Sequence, residues 1–220
     1  IALFDLHKAL GFAPTKIGLK KKIAIAFGAR GRGSAVAHFE PGSFTINLTR
    51  YKRPRKLANR PAHFDRVKLL LHGGGVGSFA HEYGHALDYY GALKVERGNT
   101  FTLSGDKNTN PKPTAHLKQN TLKGLMERLL NKIFWKTPDK YSDYYTRLLK
   151  ATKQKYFKQR NEIFARAFEV YVQYKLAKKK HVNIFLNEVK YDKDFYLTLN
   201  EMKKIEKEFD ALMNALKKHL

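Results

Sequence analysis

Two histidines four residues apart, His81 and His85, with a glutamate between them, constrain this chain more than any other feature. The pentapeptide His81-Glu82-Tyr83-Gly84-His85 has an HExxH spacing. On a helix, side chains at i and i+4 lie on one face, so both imidazoles converge on one cation. Glu82 then sits on the flank, where its carboxylate takes the proton of a water activated by that cation. Zinc is the expected ion, because it lowers the pKa of such a water to roughly 7. Ser78 stands where an N-cap would begin this helix, the run continues to about Tyr90, and Gly91 is the expected stop.

The rest of the chain must supply a third ligand, and with no cysteine present it has to be another histidine or a carboxylate. Three acids suit. Glu162 opens Asn161-Glu-Ile-Phe-Ala-Arg-Ala-Phe-Glu-Val-Tyr171, a helical pattern lined by Phe164, Ala167, Phe168 and Tyr171. Glu169 lies two turns further along that face, and Asp88 follows His85 on the motif helix itself. A ligand from the same helix one turn on would crowd the histidines. Glu162 is therefore preferred as ligand, with Asp88 and Glu169 orienting the imidazoles. The plain alternative for Glu162 is a first-turn acid favoured by the helix dipole.

Around the motif the pattern is α+β. Leu3 to Leu10 has helical apolar spacing and ends at Gly11. Lys22 to Phe27, Ser34 to Phe39 and Ser43 to Leu48 read as three strands of a small antiparallel sheet. The last two are joined at Pro41-Gly42. A basic connection, Arg50 to Arg60, leads to a helix over about Ala62 to Leu71, stopped by Gly73 to Gly75. Residues 97–115 are polar, with Gly105, Pro111 and Pro113, and read as a long loop. Leu117 to Ile133, Asp139 to Thr152, Asn161 to Leu176 and Leu197 to Leu220 are helical. The 220 residues are read as one domain, with sheet and motif helix in 1–91 and a helical lobe in 92–220.

The net charge is +24, nearly balanced around the motif and strongly basic in both flanks. Such flanks attract nucleic acid, acidic protein segments or anionic surfaces. Arg50 to Arg60 and Lys178 to His181 are the densest clusters, and no nucleic-acid-binding motif accompanies them. No apolar run approaches the roughly 20 residues of a membrane span.

Several blocks together resemble a known family. They are Ala24-Ile-Ala-Phe-Gly-Ala-Arg-Gly-Arg-Gly33, Ala37-His-Phe-Glu-Pro-Gly42, Ile46-Asn-Leu-Thr49, Gly77 to Asp88, and Glu162 to Tyr171. They resemble the large polyvalent protein-associated domains of phage and conjugative-element polyproteins. The motif helix and the Glu162 helix are also similar to the catalytic domain of anthrax lethal factor, a gluzincin-type zinc metallopeptidase. The resemblance implies a zincin-like fold in which a small sheet and an active-site helix precede a helical lobe. It implies Zn2+ on His81, His85 and Glu162, Glu82 as general base, and a tyrosine before the third ligand that donates to the oxyanion, for which Tyr156 is the nearest match. It also implies a polypeptide substrate and a place in a larger protein working in the host cytoplasm or delivered with phage or plasmid DNA. The family commonly has Trp where this chain has Tyr83. In zincins an edge strand aligns the substrate, and Ala35 to Phe39 or Phe44 to Leu48 would serve. The competing reading is a basic nucleic-acid-associated module with a structural or inactive zinc site.

Overall fold

The computed structural model describes residues 1–27, 37–48, 77–96, 100–114 and 120–220. The expected helix over 62–71, the basic stretch 50–60, the glycine turn 28–33, the first residues of the second strand and the start of the 117–133 helix lie outside them.

The architecture is α+β, with a three-stranded sheet beside a larger helical part. Helix α1 (Ala2–Leu10) buries Leu6, Ala9 and Leu10 and ends at Gly11, whose φ of 66° takes the left-handed conformation of a C-terminal cap. Strands β1 (Ala24–Phe27), β2 (Ala37–Glu40) and β3 (Thr45–Leu48) lie in the order β1-β3-β2. The sheet is mixed, not antiparallel as expected: β2 and β3 form the antiparallel hairpin, but β1 runs parallel to β3. Pro41-Gly42 fixes only the hairpin, and nothing within a strand of alternating apolar residues encodes the direction of its neighbour. Strand β3 is consequently central and bonded on both sides, which removes Phe44–Leu48 as a docking edge and, among the described residues, leaves β2.

Helix α2 (Phe79–Tyr90) carries the motif and packs between the sheet and helix α5 (Arg160–Ala177). Gly84 makes that packing close: a Cβ there would lie 3.1 Å from Cδ1 of Phe168, so the missing side chain lets α5 approach the histidine-bearing face. Two details differ from the sequence reading. Ser78 precedes the helix but its hydroxyl forms no cap bond; the amide of Ala80 donates instead to the carbonyl of Leu186, 3.1 Å away. A distant loop carbonyl has taken the hydroxyl's role. Nor does the helix stop at Gly91, which is helical at φ −60° and continues as a π-helical turn, Gly91–Glu96. Proximity favours glycine there: a Cβ would crowd Cδ1 of Leu103 and stand 3.3 Å from Cδ2 of Leu216, so both leucines would have to shift. Gly91→Val should overpack this contact and destabilise the fold by about 1–3 kcal/mol, read as a lowered thermal midpoint.

Helices α3 (Leu122–Phe134), α4 (Asp143–Ala151) and α6 (Leu199–Lys217) complete the helical part. Between α3 and α4 a short hairpin, β4 (Trp135–Thr137) and β5 (Lys140–Tyr141), replaces the helix start expected at Asp139. The helix begins only after Ser142, whose hydroxyl accepts the amide of Tyr145. Pro138 in the turn, together with the β-favouring Trp135, Thr137 and Tyr141, explains the change. No helix among the described residues is long and apolar enough to cross a membrane.

Candidate metal centre

Helix α2 presents His81 and His85 toward the first turn of α5, where Glu162 points back at them. The His81 Nε2 atom lies 3.6 Å from Glu162 Oε2, and the His85 Nε2 atom lies 3.4 Å from Glu162 Oε1. One donor atom from each of the three residues falls within 4.8 Å of the others. The two rings meet edge to face with centroids 4.9 Å apart. Glu162 is 6% exposed, and its Oε2 is buried without a hydrogen bond. Its nearest positive groups, His81 at 3.6 Å and Arg166 at 3.7 Å, stand beyond hydrogen-bond length, so a bound ion would still find a free lone pair there. Two imidazoles and this carboxylate form a donor set that fits zinc and several other divalent ions.

The electrostatics show a strongly anionic site, in which an ion would take the place of the proton on His81. Burial alone would lower the His81 pKa, but Glu162 and Glu169 outweigh it and raise it to about 10. Burial would raise the Glu162 carboxyl, yet His81 and His85 hold it well below the usual carboxylate range. Glu169 stands 3.4 Å from the His81 Nδ1 atom, and Tyr191 in turn donates to Glu169 at 2.7 Å. Asp88 behaves differently from the expectation. Its carboxylate accepts both the amide (2.9 Å) and the hydroxyl (2.5 Å) of Ser104, so it anchors the 100–114 loop to the motif helix. Burial pushes its pKa up to about 6, with the Ser104 bonds opposing.

Glu82 is 7% exposed and lines a cavity of about 280 Å³ together with His81, His85, Glu162, Tyr156 and β2 residues Ala37 to Phe39. A neighbouring cavity shares Ala37, His81, Glu82 and Tyr156 and extends along Phe157, Arg166 and Phe195, so the site opens into a longer cleft. Tyr156 sits on the 3-10 turn Tyr156–Lys158, half exposed, and burial followed by the nearby Glu162 pushes its hydroxyl pKa up. The hydroxyl therefore keeps its proton at neutral pH and is free to donate a hydrogen bond. Arg166, one turn beyond Glu162, lies 3.7 Å from its Oε2, covers the Phe157 ring and donates to the Phe157 carbonyl.

The residues that hold this geometry were not visible in the sequence. Arg160 begins α5 two residues before Glu162 and is completely buried. It donates to both oxygens of Glu127 on α3, at 2.7 and 2.6 Å, and to the carbonyls of Ser104, Asn110 and Lys112. An arginine between a lysine-rich loop and an apolar helix reads as solvated surface. Its one distinguishing mark is its place two residues before a candidate ligand.

Residues 148–220 match the family model of large polyvalent protein-associated domain 1. The matched stretch is about a third of the chain and carries Tyr156, Arg160, Glu162, Glu169 and Tyr191, but not the two histidines. It supports the polyvalent-protein part of the resemblance. No curated protein and no solved structure matches the chain.

Proposed function

We propose that the protein is a zinc-dependent peptidase, working as part of a larger polyvalent protein. The observation that carries this reading is the meeting of His81, His85 and Glu162 within 4.8 Å beside a cavity lined by Glu82 and Tyr156. A divalent ion held by those three ligands supplies Lewis acidity toward a carbonyl and a water. Glu82 takes the proton of the attacking water and returns it to the leaving amine. Tyr156 keeps its proton and donates a hydrogen bond to the developing oxyanion. Glu169, held by Tyr191, fixes the His81 ring through Nδ1 so that Nε2 faces Glu162. A structural zinc site has no use for a carboxylate between its histidines, so Glu82 favours catalysis over the inert alternative. Among the described residues strand β2 bonds only to β3, and its residues border the cavity, so an extended polypeptide suits the site better than a small substrate.

Elemental analysis tests the ligand set. The purified protein should carry zinc at one ion per chain, and a chelator should abolish cleavage of a mixed peptide library, with zinc restoring it. Residues that merely orient ligands are worth 10–100-fold in affinity, so Glu162→Ala should weaken zinc binding by more than about 100-fold. Full zinc retention in that variant, or a zinc-loaded protein that cleaves no peptide, would overturn the reading.

A further inference from the structure

A second cleft, sharing no residue with the metal cavities, lies between α3, the β4–β5 hairpin, α4 and α6. Its volume is about 220 Å³. Ile133, Leu197 and Ile205 make an apolar floor, and Trp135, its ring 4.6 Å from that of Tyr141, contributes a wall. Exposed Lys132, Lys136 and Lys204 stand around it.

The charge in this cleft is in surplus. Two carboxylates border it, and both are answered: Glu201 by a bidentate bond from Arg147 at 2.9 and 2.8 Å, and Asp143 by Lys136 at 3.9 Å. Among the described residues Lys132 and Lys204 pair with no carboxylate. Helix α4 begins at the cleft with Ser142 and Asp143, so the positive end of its dipole adds to the lysines, while the start of α6 on the opposite side is closed by the Thr198–Glu201 capping box.

Unpaired cations next to an aromatic wall and an apolar floor suit a nucleotide, which has a phosphate for the one and a base for the other. An acidic peptide would use the lysines but leave the floor and Trp135 without a partner. A duplex keeps its base faces stacked, whereas a single strand offers them to an aromatic side chain. We propose that this cleft binds nucleotide units of a single-stranded nucleic acid, with a base against Trp135 and the apolar floor and phosphates at Lys132 and Lys204. The site is independent of the metal centre, and its occupation requires neither zinc nor hydrolysis.

Trp135 is the only tryptophan in the chain, so its intrinsic fluorescence reports the cleft directly. Titration of the full chain with a single-stranded oligothymidylate should quench that emission saturably. Each lost phosphate contact flattens the log–log salt dependence by roughly 0.7 for single strands, so the double variant Lys132→Glu/Lys204→Glu should flatten it by roughly 1.4 and weaken binding more than tenfold. The same charge change at exposed Lys20 and Lys21 controls for net charge and should cost less than threefold. Both pairs are surface residues, so folding is not at stake. Binding without quenching, equal losses in the two double variants, or polyglutamate binding as tightly as the oligonucleotide would each overturn the proposal. A free mononucleotide that binds as tightly as the strand would overturn its assignment to nucleic-acid strands.

Discussion

Replacing Glu82 with glutamine should leave the zinc content unchanged and lower kcat for peptide cleavage by about 10²–10⁴, the range supplied by a positioned general base. The substitution keeps size and hydrogen-bonding capacity while removing only the ability to take a proton. Glu82 faces the cavity from the flank of α2 and makes no ion pair among the described residues, so packing gives no reason for the variant to unfold. KM should change little, because the carboxylate's role is confined to the transition state. Zinc content, kcat and thermal midpoint measured on one preparation separate three cases. Loss of cleavage with zinc and fold intact supports the mechanism. Loss of zinc would place Glu82 among the ligands, and unchanged cleavage would remove it from the chemistry.

That experiment was legible in the sequence because its logic is local. Four-residue spacing on a helix sets where His81, Glu82 and His85 point, and no tertiary knowledge is needed. Glu162 was legible one step less directly: an acid opening an apolar helix is held firmly, and its meeting with His85 at 3.4 Å follows from α5 packing against α2. Gly84 explains how that packing comes so close, and it stood unremarked inside the motif. Residues acting through distant backbone were hidden. The carbonyl of Leu186 that caps α2, the Ser104 bonds that hold Asp88 and the parallel pairing of β1 all depend on contacts between segments far apart in the chain. Gly91 was misread because a glycine after a helical run signals a left-handed cap or a close approach, and the sequence does not distinguish them.

The largest stability effect should come from Arg160→Met. The guanidinium and the Glu127 carboxylate are 0% and 1% exposed, and the arginine joins three segments: α5, α3 and the 100–114 loop. Methionine fills much of the space but leaves Glu127, among the described residues, with Thr114 at 2.6 Å and Lys123 at 3.6 Å, and it strips donors from three carbonyls. Removing one partner of a buried pair costs about 3–5 kcal/mol, mostly from the charge left behind. For a chain of this size that lowers the thermal midpoint by roughly 10 °C. Adding Glu127→Gln should recover part of the loss, and the coupling in a double-mutant cycle measures it. The same variant should weaken zinc binding, since Ser104 connects Arg160 to Asp88 on the motif helix and Glu162 lies two residues beyond Arg160. If Arg160→Met melts at the wild-type temperature, the buried pair does not hold the helices together, and the positioning of Glu162 must rest on the apolar packing of Phe164 and Phe168 alone.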